Sequence, residues 1–152
     1  MKLKSVAELS RLNASFETIV IPNGVHTVED VERECNCTKP EVIKSLLFVG
    51  LSPVVVLMTG DKMVDLGKLR EMRGDESLHM ANKEEVRNIT GFPVGAVSPF
   101  GLRKMDVIAD QAVLDLRLSW LIHNESWKKR NIMTGNGSTR RGQAEWTKNW
   151  RR

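Results

Sequence analysis

Cysteine is nearly absent from this 152-residue chain. Cys35 and Cys37, in a Cys-Asn-Cys sequence, are the only two. A structural zinc site needs about four ligands, and no Cys or His cluster supplies the other two. The pair therefore reads as two reduced thiols, partly buried at a helix end. Histidine is scarce as well. His26 alone lies near the cysteines in sequence, while His79 and His123 stand in polar contexts that suit surface positions. No metal is expected. Long apolar runs are also missing. The longest aliphatic stretch, Val54 to Met58, falls far short of a bilayer span. The first dozen residues carry Lys2, Lys4, Glu8 and Arg11 with no apolar h-region. A cytoplasmic protein without membrane contact is the expectation.

The common catalytic signatures are missing too. There is no Gly-x-x-x-x-Gly-Lys-Ser/Thr phosphate loop and no Gly-x-Gly-x-x-Gly after a strand. Neither a Gly-x-Ser-x-Gly elbow nor a His-Glu-x-x-His pair occurs. An enzyme built on this chain would work without an evident activated nucleophile. No cofactor is expected either.

What is present fits one globular domain, expected to span residues 1–152, with 41% hydrophobic and 28% charged residues. Charge is unevenly spread. From Asn124 onward there are eight basic and two acidic residues, a net +6, so the first 123 residues sum to −2. All four tryptophans lie in the last third as well. A basic segment with interleaved aromatics suits an RNA backbone and unstacked bases. A solvated tail with Trp120 in the core explains the same pattern. Lys128, Lys129, Arg130, Arg140 and Arg141 are the candidate RNA contacts.

Local signals predict alternating helices and short strands. Val6, Leu9 and Leu12 recur at helical spacing. Phe16 to Ile21 reads as a strand, and Thr27 caps a helix over 28–35 with Glu29 and Asp30 in its first turn. Thr38 caps a second short helix entered through Pro40, which runs into a strand at Leu46 to Val49. Pro53 to Met58 is apolar throughout and so is a central strand. Asp65 caps a helix with Leu66, Leu69 and Met72 on one face, ending at Gly74. Asn82 with Glu85 forms a capping box for a helix over 83–89, stopped at Gly91. Val94 to Val97 and Asp106 to Ala109 read as strands, and Gln111 to about Leu118 as a helix. One late strand is expected, at Trp120 to Ile122 or at Asn131 to Met133, with 135–143 a loop. The class is mixed α/β.

Two features stand out chemically. Lys44 sits inside the apolar run Val42 to Val49, where an ammonium is costly to desolvate. Either its stem packs while the amine reaches water, or the amine waits in a pocket for a phosphate or carboxylate. The segment Gly91-Phe92-Pro93-Val94-Gly95-Ala96-Val97-Ser98-Pro99-Phe100-Gly101 holds three glycines and two prolines among apolar residues. It is either a tight strand connection or a turn whose main-chain amides cradle a carbonyl or oxyanion.

These pieces occur in a recognisable order: Thr27 to Val31, Val42 to Phe48, Gly60-Asp61-Lys62, then Thr90 to Gly101. Together they resemble the YbaK family, free-standing relatives of the editing domain inserted in bacterial prolyl-tRNA synthetase. The resemblance is clearest over 5–115. It implies a single domain with a curved, barrel-like mixed sheet surrounded by helices. It implies metal-independent hydrolysis of misacylated aminoacyl-tRNA in trans, the free ribose hydroxyl of the terminal adenosine helping to activate water. The expected substrate is a small amino acid, Ala or Cys, on tRNA(Pro), with a synthetase as a further expected partner. By the same resemblance Lys44 holds the tRNA 3′ end, and Gly95, Ala96, Val97, Ser98 and Pro99 form the loop that positions the ester. Thr27 and Gly101 contact the substrate, as does a late glycine-rich turn with Gly135, Gly137 and Ser138. The competing expectation is a tRNA- or nucleotide-binding module of this fold that has no turnover.

Overall fold

The computed structural model describes residues 4–14, 16–22, 24–102, 105–116, 118–123 and 131–136. The elements are α1 (Lys4–Arg11), β1 (Phe16–Val20), α2 (Val28–Cys35), a 3₁₀ turn (Lys39–Glu41), β2 (Val42–Val49), β3 (Val54–Thr59) and α3 (Leu66–Arg73). They continue as β4 (His79–Met80), α4 (Lys83–Thr90), β5 (Asp106–Ala109), α5 (Gln111–Leu114), β6 (Leu118–His123) and β7 (Asn131–Asn136). The strands make one mixed sheet in the order β1-β7-β6-β2-β3-β5, with β4 paired to β2. The β6–β2 and β3–β5 pairs are parallel; the others are antiparallel. This is the mixed α/β architecture expected from the sequence.

The capped helices begin where their sequences dictate. The Thr27 side chain accepts from Asp30 N and the Asp30 carboxylate accepts from Thr27 N, closing a reciprocal box. Asn82 and Glu85 do the same for α4, and α3 and α4 both end on a left-handed glycine, Gly74 and Gly91. All six residues of β3 are buried, as a central strand requires.

Several expectations fail where pairing outweighs local propensity. The short helix after Thr38 is a single 3₁₀ turn, because Glu41 folds back to accept from Thr38 N and Val42 already enters the ladder. So β2 starts at Val42, four residues earlier than expected, and Lys44 lies in a strand. Val94 to Val97 is not a strand. Ala96 N donates to the Pro93 carbonyl (3.1 Å), closing a turn with Gly95 at φ +78°. The helix at Gln111 stops at Leu114, and the chain returns to strand at Leu118. Both late strands form, each satisfying the other's ladder, and β7 takes in Gly135 and Asn136 from the expected loop. Met72 is 62% exposed, so α3 packs only its Leu66 and Leu69 side.

Side chains alternate across β2 and divide the core. Ile43, Leu47 and Val49 join Val55, Leu57, Val86, Phe92, Val97 and Val113 on one face. Leu46 and Phe48 join Val54, Val56, Met58, Leu69 and Leu78 on the other. Val42, on this second face, packs with Ile21, Val25 and Val31 beside α2.

Candidate functional site

Lys44 is the third residue of β2, opposite Met58, and alternation puts it on the α2–α3 face. The side chain is half-buried and its Nζ donates to the main-chain carbonyl of Lys62. One of its three donors is thus committed, leaving two for a ligand. The acceptor belongs to the turn after β3, where Gly60 N donates to the carbonyls of Lys39 (3.0 Å) and Val42 (2.7 Å). Gly60 has no room for a side chain. A Cβ there would lie 2.7 Å from both the Lys39 carbonyl oxygen and Val28 Cγ1. Close packing thus holds the carbonyl that holds Lys44.

The same turn carries charge. Lys62 Nζ pairs with Asp110 Oδ1 at 2.9 Å. Asp110 also caps α5 through Ala112 N (2.9 Å), and its own N–H donates to the Leu57 carbonyl. The Lys62 ammonium holds the Asp110 carboxyl below its ordinary range, and Asp110 raises Lys62 in return. Asp61 is lowered first by the Thr59 hydroxyl, then by the nearby Lys62 and Lys44 ammonium groups. Lys44, Asp61, Lys62 and Asp110 therefore cluster at the carboxyl ends of the parallel strands β3 and β5, where open α/β sheets present their ligands. Asp110 has no local sequence signature because its partner, Lys62 of the Gly60-Asp61-Lys62 motif, is 48 residues away.

The glycine-rich segment packs on the opposite face. Phe92 and Val97 are buried in the cluster with Leu47, Val55 and Leu57, and Phe100 packs with Leu9 and Ile43. Thr90 Oγ1 donates to the Val86 carbonyl (2.6 Å) and accepts from Phe92 N (3.0 Å), tying the loop to the end of α4. Ser98 Oγ accepts from Phe100 N (3.2 Å), and Gly101 follows at φ +90°. Ala96, Val97 and Ser98 are buried. Yet the main-chain N–H groups of Gly95, Val97 and Ser98 have no hydrogen-bond partner among the described residues. Gly95 is exposed, so water can serve its amide, while Val97 and Ser98 are buried residues, where backbone donors are nearly always paired.

The other expected site residues fall elsewhere. Thr27 is exposed and its oxygen serves the α2 cap. Asp30 opposite it is lowered to about 2, chiefly by His26 N and then by Arg33. Gly135 sits in β7, paired with Phe16 and Ser119. Gly137, Ser138, Lys128, Lys129, Arg130, Arg140 and Arg141 lie outside the described residues. Cys35 and Cys37 are free thiols. Burial pushes Cys37 up to about 11 and raises Cys35 too, which leaves both poor nucleophiles. Among the described residues no helix is long and apolar enough to cross a membrane.

The family model of the aminoacyl-tRNA editing domain matches residues 22–129. The chain belongs to that family. The match takes in Lys44, the Gly60 turn and the whole Gly91 to Gly101 segment. The proline–tRNA ligase of Maridesulfovibrio salexigens is 38% identical to this editing domain over 109 residues, which are 69% of this chain and 19% of that protein. The proline–tRNA ligase of Oleidesulfovibrio alaskensis is 37% identical over 109 residues, 71% of this chain and 19% of the relative. The chain thus spans about a fifth of the length of these curated relatives. Two solved structures share the fold. The hypothetical protein APE2540 superposes with a TM-score of 0.77 at 17% identity, covering 93% of this chain and 89% of that one. A proposed trans-editing enzyme for prolyl tRNA synthetase gives 0.72 at 24% identity, covering 86% and 82%.

Proposed function

We propose that this editing domain hydrolyses the ester of misacylated tRNA in trans, and that its substrate is a small amino acid, Ala or Cys, on tRNA(Pro). The observation that carries the reading is the pair of unpaired amides at Val97 and Ser98 in a buried turn. Such donors stabilise the negative charge that develops on an ester carbonyl oxygen during attack. Water adds to the carbonyl carbon, the bond to the ribose oxygen breaks, and the products are a free amino acid and tRNA with its terminal hydroxyl restored. The chain's part is to orient the ester and exclude bulk water, while the free ribose hydroxyl helps to activate the attacking water. Lys44, with two uncommitted donors, binds a phosphate near the tRNA 3′ end from the end of the sheet. The basic residues Lys128, Lys129, Arg130, Arg140 and Arg141 follow the acceptor-stem backbone.

The choice of amino acid and tRNA is supported by the proline–tRNA ligases among its relatives and by a physical limit. A binding site separates small side chains that differ by a group or two only weakly, so a second hydrolytic site supplies the remaining discrimination. Action on a diffusing tRNA places the protein in the cytoplasm beside a synthetase. The test is deacylation of Ala-, Cys- and Ser-charged tRNA(Pro). Ester loss faster than in buffer is expected for at least one. Tight binding of charged tRNA with unchanged ester lifetimes for all three would replace this reading with a non-catalytic binding module.

A further inference from the structure

Ser45 follows Lys44 and points the other way. Its neighbours along that face of β2 are Ile43 and Leu47, and Leu57 is directly across on β3. This is the face on which Phe92 and Val97 anchor the glycine-rich segment. The Ser45 Oγ atom is buried without any hydrogen-bond partner. An orphaned buried hydroxyl costs stability that Ala would not, because Ala has no polar group to desolvate. One diagonal step away on β3, Thr59 Oγ1 is a second buried hydroxyl without a hydrogen-bond partner. An apolar core face therefore holds two unused hydroxyls, while the turn packed against it holds unused amides.

We infer that the Ser45 hydroxyl is a substrate contact, hydrogen-bonding the aminoacyl ester that the Val97 and Ser98 amides receive. This rests on the deacylase reading and names a residue for it that neither the motifs nor the family resemblance singled out. The chemistry fits a small polar ester, since a hydroxyl can both donate to its oxygen and accept from its amino group. Because Oγ has no exposed surface, the contact forms as the turn shifts to admit the ester. Gly95 and Gly101, at φ +78° and +90°, hold backbone conformations of that turn that a side chain would strain.

The experiment compares wild type, Ser45→Ala and Ser45→Thr for hydrolysis of Ala-, Cys- and Ser-tRNA(Pro), with melting temperatures from the same preparations. Ser45→Ala should lose about ten-fold in kcat/KM, the scale of one hydrogen bond, with an unchanged or higher melting temperature. Ser45→Thr keeps the hydroxyl and should retain most of the activity. Ser45→Ala with kcat/KM within two-fold of wild type overturns the inference while leaving the deacylase reading intact. So does a loss of activity that comes with a lowered melting temperature and is not restored by Thr, since that pattern belongs to packing. Wild type that hydrolyses none of the three esters overturns both.

Discussion

Replacing Lys44 by Ala separates its two roles by magnitude. In the structure its ammonium makes one hydrogen bond, to the Lys62 carbonyl, from a half-buried stem. Losing that bond costs about 0.5–1.5 kcal/mol of stability, because Lys62 is exposed and water can take over its carbonyl. For a domain of this size that lowers Tm by a few degrees, at about 2–4 °C per kcal/mol. Losing a charge-assisted contact to a tRNA phosphate costs more, about 1.5–3 kcal/mol in transition-state binding. At about 1.4 kcal/mol per decade, kcat/KM should fall roughly ten- to a hundred-fold. Lys44→Arg should recover only part, since a planar fork does not occupy the place of a compact ammonium. The assay is single-turnover and steady-state hydrolysis of mischarged tRNA(Pro), with thermal unfolding of the same samples. Unchanged kcat/KM together with the few-degree loss would refute the reasoning and reduce Lys44 to a tether for the turn after β3.

Gly60→Ala puts a methyl 2.7 Å from both the Lys39 carbonyl and Val28, so it should cost about 1–3 kcal/mol and lower Tm accordingly; an unaltered melting curve would show that the contact yields freely. Asp30 is held at about 2 against an ordinary 3.8, so its contribution is present above pH 3.8 and is lost as pH falls toward 2. Asp30→Asn should flatten the stability profile in that window, read by urea unfolding at several pH values, and an identical slope would discount the His26 and Arg33 contacts. Neutralising Lys128, Lys129, Arg130, Arg140 and Arg141 should weaken tRNA binding and reduce the slope of log affinity against log salt. An unchanged slope assigns them to solvent.

The helix boundaries of this domain are set by local groups. The α2 and α4 starts rest on hydrogen bonds between residues three apart, Thr27 with Asp30 and Asn82 with Glu85. The ends of α3 and α4 rest on single left-handed glycines, and the apolar run of β3 declares a strand buried on both faces. A short window of sequence contains all the groups involved, so these features were legible. Lys44 and the Gly91 to Gly101 segment stand out by composition in the same way, and the proposed site is built on them.

The early start of β2 at Val42, the second late strand and the turn at Val94 to Val97 depend instead on partners far along the chain. Ladder bonds and burial between β2, β3, β6 and β7 outweigh the weak propensity of any one segment. Tertiary structure likewise sets Lys44 against the Lys62 carbonyl, joins Lys62 to Asp110 and turns Ser45 toward the loop face. Local sequence determined where helices are capped and which strand is buried. Which face each side chain of β2 presents, and to what, was decided by strand register, since a shift of one residue would exchange Lys44 and Ser45.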